Sequence, residues 1–409
     1  MEQKSIIQSS LYEISPIDFP QGDEYISDIE LITMSDTGII DAQVINMTLR
    51  ESCMMLVNAI KVFRLGFFDC AFYSLRQTIE LSVGGIYLYT NKDKIKDWNR
   101  GTDGFEKGRM AQFLKQNDTT FCNIREKMAF YFDGLRKVER SIDKYVHKQG
   151  VGTFYTYHGA NHDYRHNHLN KIAKDFEKHL IDCIGAVLVY RLVIDPLPLL
   201  LSDDNITFRS PDFITEPFSQ RFTGKYISTE IIDAYKQTDI YQGYYADLSA
   251  REKQNDAIYN LIHYQCIDRN DIDKYLEQSH LISYHDKLAL ILFFSSLKVS
   301  NCYLMNGNLW YFSETDSHRE KSSFSFGNDY FMRFFPNDNS FNMPFENVFI
   351  SRCNAFSEIH YFEHNFPLNE HEILLIEQNV STINDSYEET NKRLMDWFNV
   401  QLSKQETVL

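Results

Sequence analysis

The stretch INMTLRESCMMLVNAIKVFRLGFFDCAFYSLRQTIELSVGGI, residues 45–86, decides the fold of the N-terminal half. Ile45, Leu49, Cys53, Leu56, Ile60 and Phe63 recur every three or four residues, one apolar stripe along a helix of about six turns. Gly66 closes that helix, and a second stripe, Phe68, Phe72, Leu75, Ile79, Val83 and Ile86, starts almost at once. So short a link leaves room only for antiparallel neighbours, and the two helices are expected to pack as a hairpin. On the second helix Arg76 and Glu80 stand one turn apart and can pair.

Working outward, Asp103 with Glu106 three residues later reads as a capping box for a helix to about Lys115. Ile124, Met128, Tyr131, Leu135, Val138, Ile142 and Tyr145 alternate steps of four and three, a long helix that stops at Gly150 and Gly152. A last helix spans about 169–194. Five helices make a compact bundle over 39–198, preceded by an irregular arm over 1–38, where Pro16, Pro20 and Gly22 lie among acidic residues. Ser202-Asp203-Asp204-Asn205 marks a boundary to a second domain, 205–409. Helices are expected there near 227–247, 250–266, 269–278, 284–303 and 386–402. Asn306-Gly307-Asn308 before Leu309-Trp310-Tyr311-Phe312 signals a turn into a strand, and 320–368 is expected to hold a few more. The fold class is therefore mainly α: a five-helix N-terminal bundle and a second, mostly helical α+β C-terminal domain.

The formal charge of -16 over 409 residues argues against a general nucleic-acid coat. It is unevenly spread: residues 1–200 carry 24 Lys and Arg against 26 Asp and Glu, and 201–409 carry 17 against 31. A surface that faces RNA therefore belongs to the first half. Seven scattered cysteines without a CxxC fit reduced thiols, and Cys70 and Cys183 fall on apolar faces, where buried thiols are expected. MEQKSIIQSS has no apolar core of a secretory signal, and the apolar run 183–201 is interrupted by Arg191, Asp195, Pro196 and Pro198. A cytoplasmic protein with no membrane association is expected.

Arg140 and His147 are seven positions apart, which brings them within about 20° on one helical face and about 10 Å along its axis. This face points away from the apolar stripe and also carries Asp133, Arg136 and Asp143. It suits a ligand or a second subunit, and it equally suits a plain solvated face. A second cluster follows: Tyr155, Tyr157, His158, His162, Arg165, His166 and His168. In a helix, His158, His162 and His166 would stack for a metal, but Gly159 and the asparagines favour a loop, so no metal or cofactor is expected. Tyr155, Tyr157, His158 and Arg165 suit base stacking and phosphate contacts with RNA, or hydrogen bonds that hold the loop to its own domain. Beyond residue 200, no zinc spacing, phosphate loop or Ser/His/Asp pattern emerges.

The run Gly66 to Leu81, with Ala71, Arg76 and Glu80, resembles the helical hairpin of HEPN domains of bacterial defence and toxin proteins. Trp98 and Gly101 precede Arg140-Ser-Ile-Asp-Lys-Tyr-Val-His147, which is similar to that family's motif of an Arg followed by His. The resemblance covers about 155 residues. It implies a homodimer or larger oligomer formed through the bundle, in which paired Arg and His residues cut RNA without a metal. His147 would be the general acid or base for attack of a ribose 2′-OH, Arg140 would stabilise the phosphorane, and Arg136, Ser141 and Asp143 would support them. Ser141 departs from the family, which often has Asn, Asp or His directly after the Arg. The implied function is an antiviral-defence (abortive-infection) or toxin ribonuclease. The alternative is a non-catalytic HEPN-like scaffold whose acidic second half recognises a protein trigger.

Overall fold

The structure, a computed structural model, describes residues 14, 16–102, 104, 106–155, 165–210, 214–305, 307–313 and 341–406, the side chains of 165–168 and 397–406 excepted. The chain forms two compact units, 1–251 and 252–409. The first is helical: α1 (Gly22–Thr33), α2 (Gln43–Arg64), α3 (Phe68–Thr90), α4 (Lys94–Asn99), α5 (Lys107–Asn117), α6 (Thr119–Lys127), α7 (Ala129–Val146) and α8 (Arg165–Leu192). Short helices follow: α9 (Leu197–Leu200), α10 (Asp204–Thr207), α11 (Gln220–Tyr226), α12 (Thr229–Lys236) and α13 (Asp239–Ser249).

Every residue of the two stripes that define the α2–α3 hairpin is buried. Between them Gly66 adopts φ 92°, its N–H donates to the Phe63 carbonyl at 2.8 Å, and the Phe67 N–H donates to the Val62 carbonyl at 3.0 Å. That is the reverse turn which ends a helix at a left-handed glycine. The helices approach so closely that a Cβ on Gly85 would lie 2.0 Å from Thr48 Oγ1.

Four expectations need correction here. The arm contains α1, because Tyr25, Ile29 and Ile32 share a buried stripe that the intervening acids obscure. The helix over 124–145 is two, broken at Met128 (φ -111°, ψ 31°). The unit boundary falls after Arg251 rather than at 202–205, because Ile206, Phe222, Tyr235, Tyr241 and Leu248 complete the core of the first unit. Cys70 is exposed, whereas Cys183 is buried as expected.

The second unit holds α14 (Asp256–Tyr264), α15 (Ile272–Glu277), α16 (Tyr284–Ser295) and α17 (Glu370–Glu406). Its antiparallel sheet has the order β2-β1-β5-β4-β3, with β1 (Val299–Leu304), β2 (Leu309–Phe312), β3 (Met343–Phe345), β4 (Val348–Ala355) and β5 (Glu358–His364). The strand at Leu309 is where the turn signal placed it. The expected helix 284–303 instead ends at Ser295 and its last residues form β1. Among the described residues, no helix is long and apolar enough to cross a membrane.

Candidate functional site

The buried stripe of α7 (Phe132, Leu135, Ile142) fixes its rotation, and this sets three flanks in place. One flank meets α3. There Arg76 Nε donates to Glu80 Oε1 at 2.9 Å, and Arg76 Nη1 lies 3.1 Å from Asp143 Oδ1. The same Nη1 donates to His147 Nε2 at 2.9 Å. With Nε2 accepting, the imidazole proton is assigned to Nδ1. Burial opposes the charge of Arg76, but Glu80 and Asp143 outweigh it and hold the guanidinium above its ordinary pKa. Lys107, at the start of α5, pairs with Glu139 of α7. Burial pushes its ammonium down to about 8, against the pull of Glu80 and Asp143. Five ionisable groups from three helices thus meet beside the exposed imidazole of His147.

The outward flank carries Arg140, exposed and without a hydrogen bond or ion pair among the described residues. Arg136 is held by Asp133, one turn back. Ser141 lies on the third flank, along a cleft between α7 and α8, and so is not gathered with His147. Of the five residues singled out on α7, the structure brings together Asp143 and His147; Arg140 and Arg136 stay on the adjoining surface.

His147 closes α7, its N–H donating to the Asp143 carbonyl at 2.9 Å. The next residues are tied to the start of α3: Lys148 Nζ is 3.1 Å from Asp69 Oδ2, and the Tyr155 hydroxyl donates to Asp69. The Tyr155 ring packs 4.2 Å from that of Phe68, and Lys148 Nζ sits 4.6 Å from the Tyr155 centroid. Tyr155 is therefore engaged within its own unit, holding the segment that presents His147. Tyr157, His158 and His162 lie outside the described residues, as do the side chains of Arg165, His166 and His168. Among the described residues, no group of three or more His, Cys, Asp or Glu is placed to hold a metal.

Spacing along α7 pointed to Arg140 as the partner of His147, yet the guanidinium on the imidazole is that of Arg76, 71 residues earlier. The signal was present as the Arg76–Glu80 pair, but a contact between helices leaves no spacing to read. Chemically, the cluster offers a fixed cation and a titratable imidazole at one exposed point, the two functions that phosphodiester transfer needs. A comparison with protein-family models, with curated proteins and with solved structures finds no match to this chain.

Proposed function

We propose that residues 1–251 form a HEPN-type endoribonuclease of a phage-defence or toxin system, which cuts RNA without a metal at a site shared by two copies of the chain. The observation that carries this reading is the Arg76–His147 contact, braced by Glu80 and Asp143 and open to solvent beside the unpaired Arg140. In the reaction His147 Nε2 takes the proton of a ribose 2′-OH, the 2′-oxygen bonds to the adjacent phosphorus and the bond to the 5′-oxygen breaks. The leaving 5′-oxygen takes its proton from His147 of the second copy, which enters the step as the imidazolium and leaves it as the neutral ring, so the two histidines exchange roles. Binding the phosphate draws the Arg76 guanidinium from Nε2 onto the phosphoryl oxygens, which frees the lone pair as the base is needed. Arg140 supplies a further cation across the subunit interface, and the acidic second unit serves control.

The test is RNA cleavage by the full chain. His147→Ala is expected to stay folded and to lose roughly 10²–10⁴-fold in rate, the usual share of acid–base catalysis. Arg76→Lys keeps the charge but not the planar fork and is expected to fall likewise. Products should end in cyclic or 3′-phosphates, and EDTA should leave the rate unchanged. Equal cleavage by wild type and His147→Ala overturns the reading and leaves the scaffold alternative, in which the bundle joins subunits and the second unit binds a protein partner.

A further inference from the structure

On the flank of α7 opposite to His147, a cleft of about 670 Å³ lies between α7, the turn Val151–Thr153 and α8. Lys137 and Lys144 reach it from α7, Lys171 and Lys178 from α8. All four are exposed, and none has an ion-pair partner among the described residues. The cleft's two carboxylates offset only part of that charge: Asp175 accepts the Tyr145 hydroxyl at 2.8 Å, and Asp182, half-buried, feels the ammonium of Lys178. In a chain of charge -16, four lysines against two carboxylates still make a local excess of cations.

Their order matters as much as their number. Tyr145 faces Asp175, while the rings of Phe132 and Tyr190 lie 6.3 Å apart, so α7 and α8 run antiparallel. That alignment brings Lys178 level with the turn between Lys137 and Lys144, and Lys171 beyond Lys144. The four ammonium groups therefore alternate from wall to wall over roughly 18 Å, from the helical rise. One phosphate needs only one or two cations close together; a row of this length suits phosphates strung along an extended strand. The wall residues Val138 and Val151 offer apolar surface for sugars and base edges, whereas the Tyr145 ring is already stacked on Phe72 at 3.8 Å.

We infer that this cleft is a track for the backbone of single-stranded RNA, held chiefly through its phosphates and with little regard to base sequence. That the strand is RNA rests on the ribonuclease reading; the track itself rests on the four lysines. It would hold the substrate along α7 while the opposite flank of the same helix acts on it.

The test uses the full-length His147→Ala chain, so that binding is read without cleavage, and a fluorescent oligouridylate followed by anisotropy across a salt series. Lys144→Gln with Lys171→Gln is expected to weaken binding about tenfold at low salt and to flatten the log–log salt slope by roughly 1.4, two phosphate contacts on a single strand. Lys61→Gln, an exposed lysine on α2, serves as control and should change neither. Unchanged affinity and slope in the double variant overturn the track, as does a parent protein that binds no RNA. Full displacement of RNA by tripolyphosphate at equal phosphate concentration overturns the strand and assigns the cleft to a small polyanion. Failure of the ribonuclease reading shows separately, as cleavage that ignores His147→Ala.

Discussion

Along α2 the buried positions return every third or fourth residue, whereas in β1 and most of β5 of the second unit burial does not alternate. β1 is buried at all six positions and β5 from His360 to His364. The first unit keeps charge at its edges, with the Arg191–Asp195 pair as its fully buried exception. The sheet of the second unit buries His360, Glu363, His364 and Arg352 together with Asn301 and Ser351. Each has to be matched by a partner, since a buried polar group left alone costs more than any single bond returns. Asn301 Nδ2 donates to Glu363 Oε1 at 3.0 Å, and Ser351 Oγ lies 2.8 Å from His364 Nε2. The helical unit is thus specified by where its apolar groups fall, the mixed unit by which polar groups find each other.

The largest expected effect tests the exception in the helical unit. Arg191 is 1% exposed, donates to the Ser35 carbonyl, and holds Asp195 Oδ1 and Oδ2 at 3.2 Å each. Asp195 in turn accepts from the Leu197 N–H at 3.1 Å, where the chain leaves α8. Arg191→Met strands a buried carboxylate and is expected to cost about 3–5 kcal/mol in urea unfolding, much less when Asp195→Leu is added. A single variant as stable as the double one would show that the charge is not isolated from water.

A somewhat smaller effect probes the polar sheet. His364 Nδ1–H donates to the Phe366 carbonyl and its Nε2 accepts from Ser351; His360 Nε2–H donates to the Ala355 carbonyl and its Nδ1 accepts from the Met305 N–H. Each ring is therefore held neutral, and burial lowers both pKa values from 6.5 to about 4. Above about 6.5 neither the folded nor the unfolded state binds these protons and their contribution is complete. As pH falls towards 4 the unfolded chain is protonated first, and stability on the order of 3 kcal/mol per histidine is lost. Hydrogen exchange in β4 and β5, corrected for intrinsic rates, should lose protection across that window. A flat profile would mean that the rings do not titrate with unfolding.

The same contrast explains what was legible in the sequence. The hairpin was readable to the residue because each stripe has one wet and one dry side. In sequence β1 resembles the tail of a helix because Val299–Leu304 is covered on both faces, which erases the period of two that betrays a strand. His147 is legible from its place on an exposed helical face; Arg76 is legible as the partner of Glu80 and as part of the hairpin's resemblance, but not as a partner of His147. Its contact with His147 depends on how α3 packs on α7, which neither helix encodes alone. The lysine cleft escaped for the same reason, two residues on each of two helices with no shared motif.

The smallest effect concerns a helix cap. At α5 the expected box fails, because Glu106 is itself the residue before the helix and makes no side-chain cap. A working box lies in the second unit, at the start of α16. Ser283 Oγ accepts from the Asp286 N–H at 3.1 Å, and Asp286 Oδ2 accepts from the Ser283 N–H at 2.9 Å. Asp286 Oδ1 also takes the buried Tyr311 hydroxyl of β2 at 2.9 Å, so the cap fastens helix to sheet. Ser283→Ala removes only the local half and is expected to cost about 1 kcal/mol, the usual value of a helix cap. Asp286→Ala should cost more, because it also leaves the Tyr311 hydroxyl buried without its acceptor. Adding Tyr311→Phe to Asp286→Ala should recover that excess but not the cap. If Ser283→Ala and Asp286→Ala cost the same in urea unfolding, the hydroxyl contributes nothing, and the second unit relies less on matched polar groups than its burial implies.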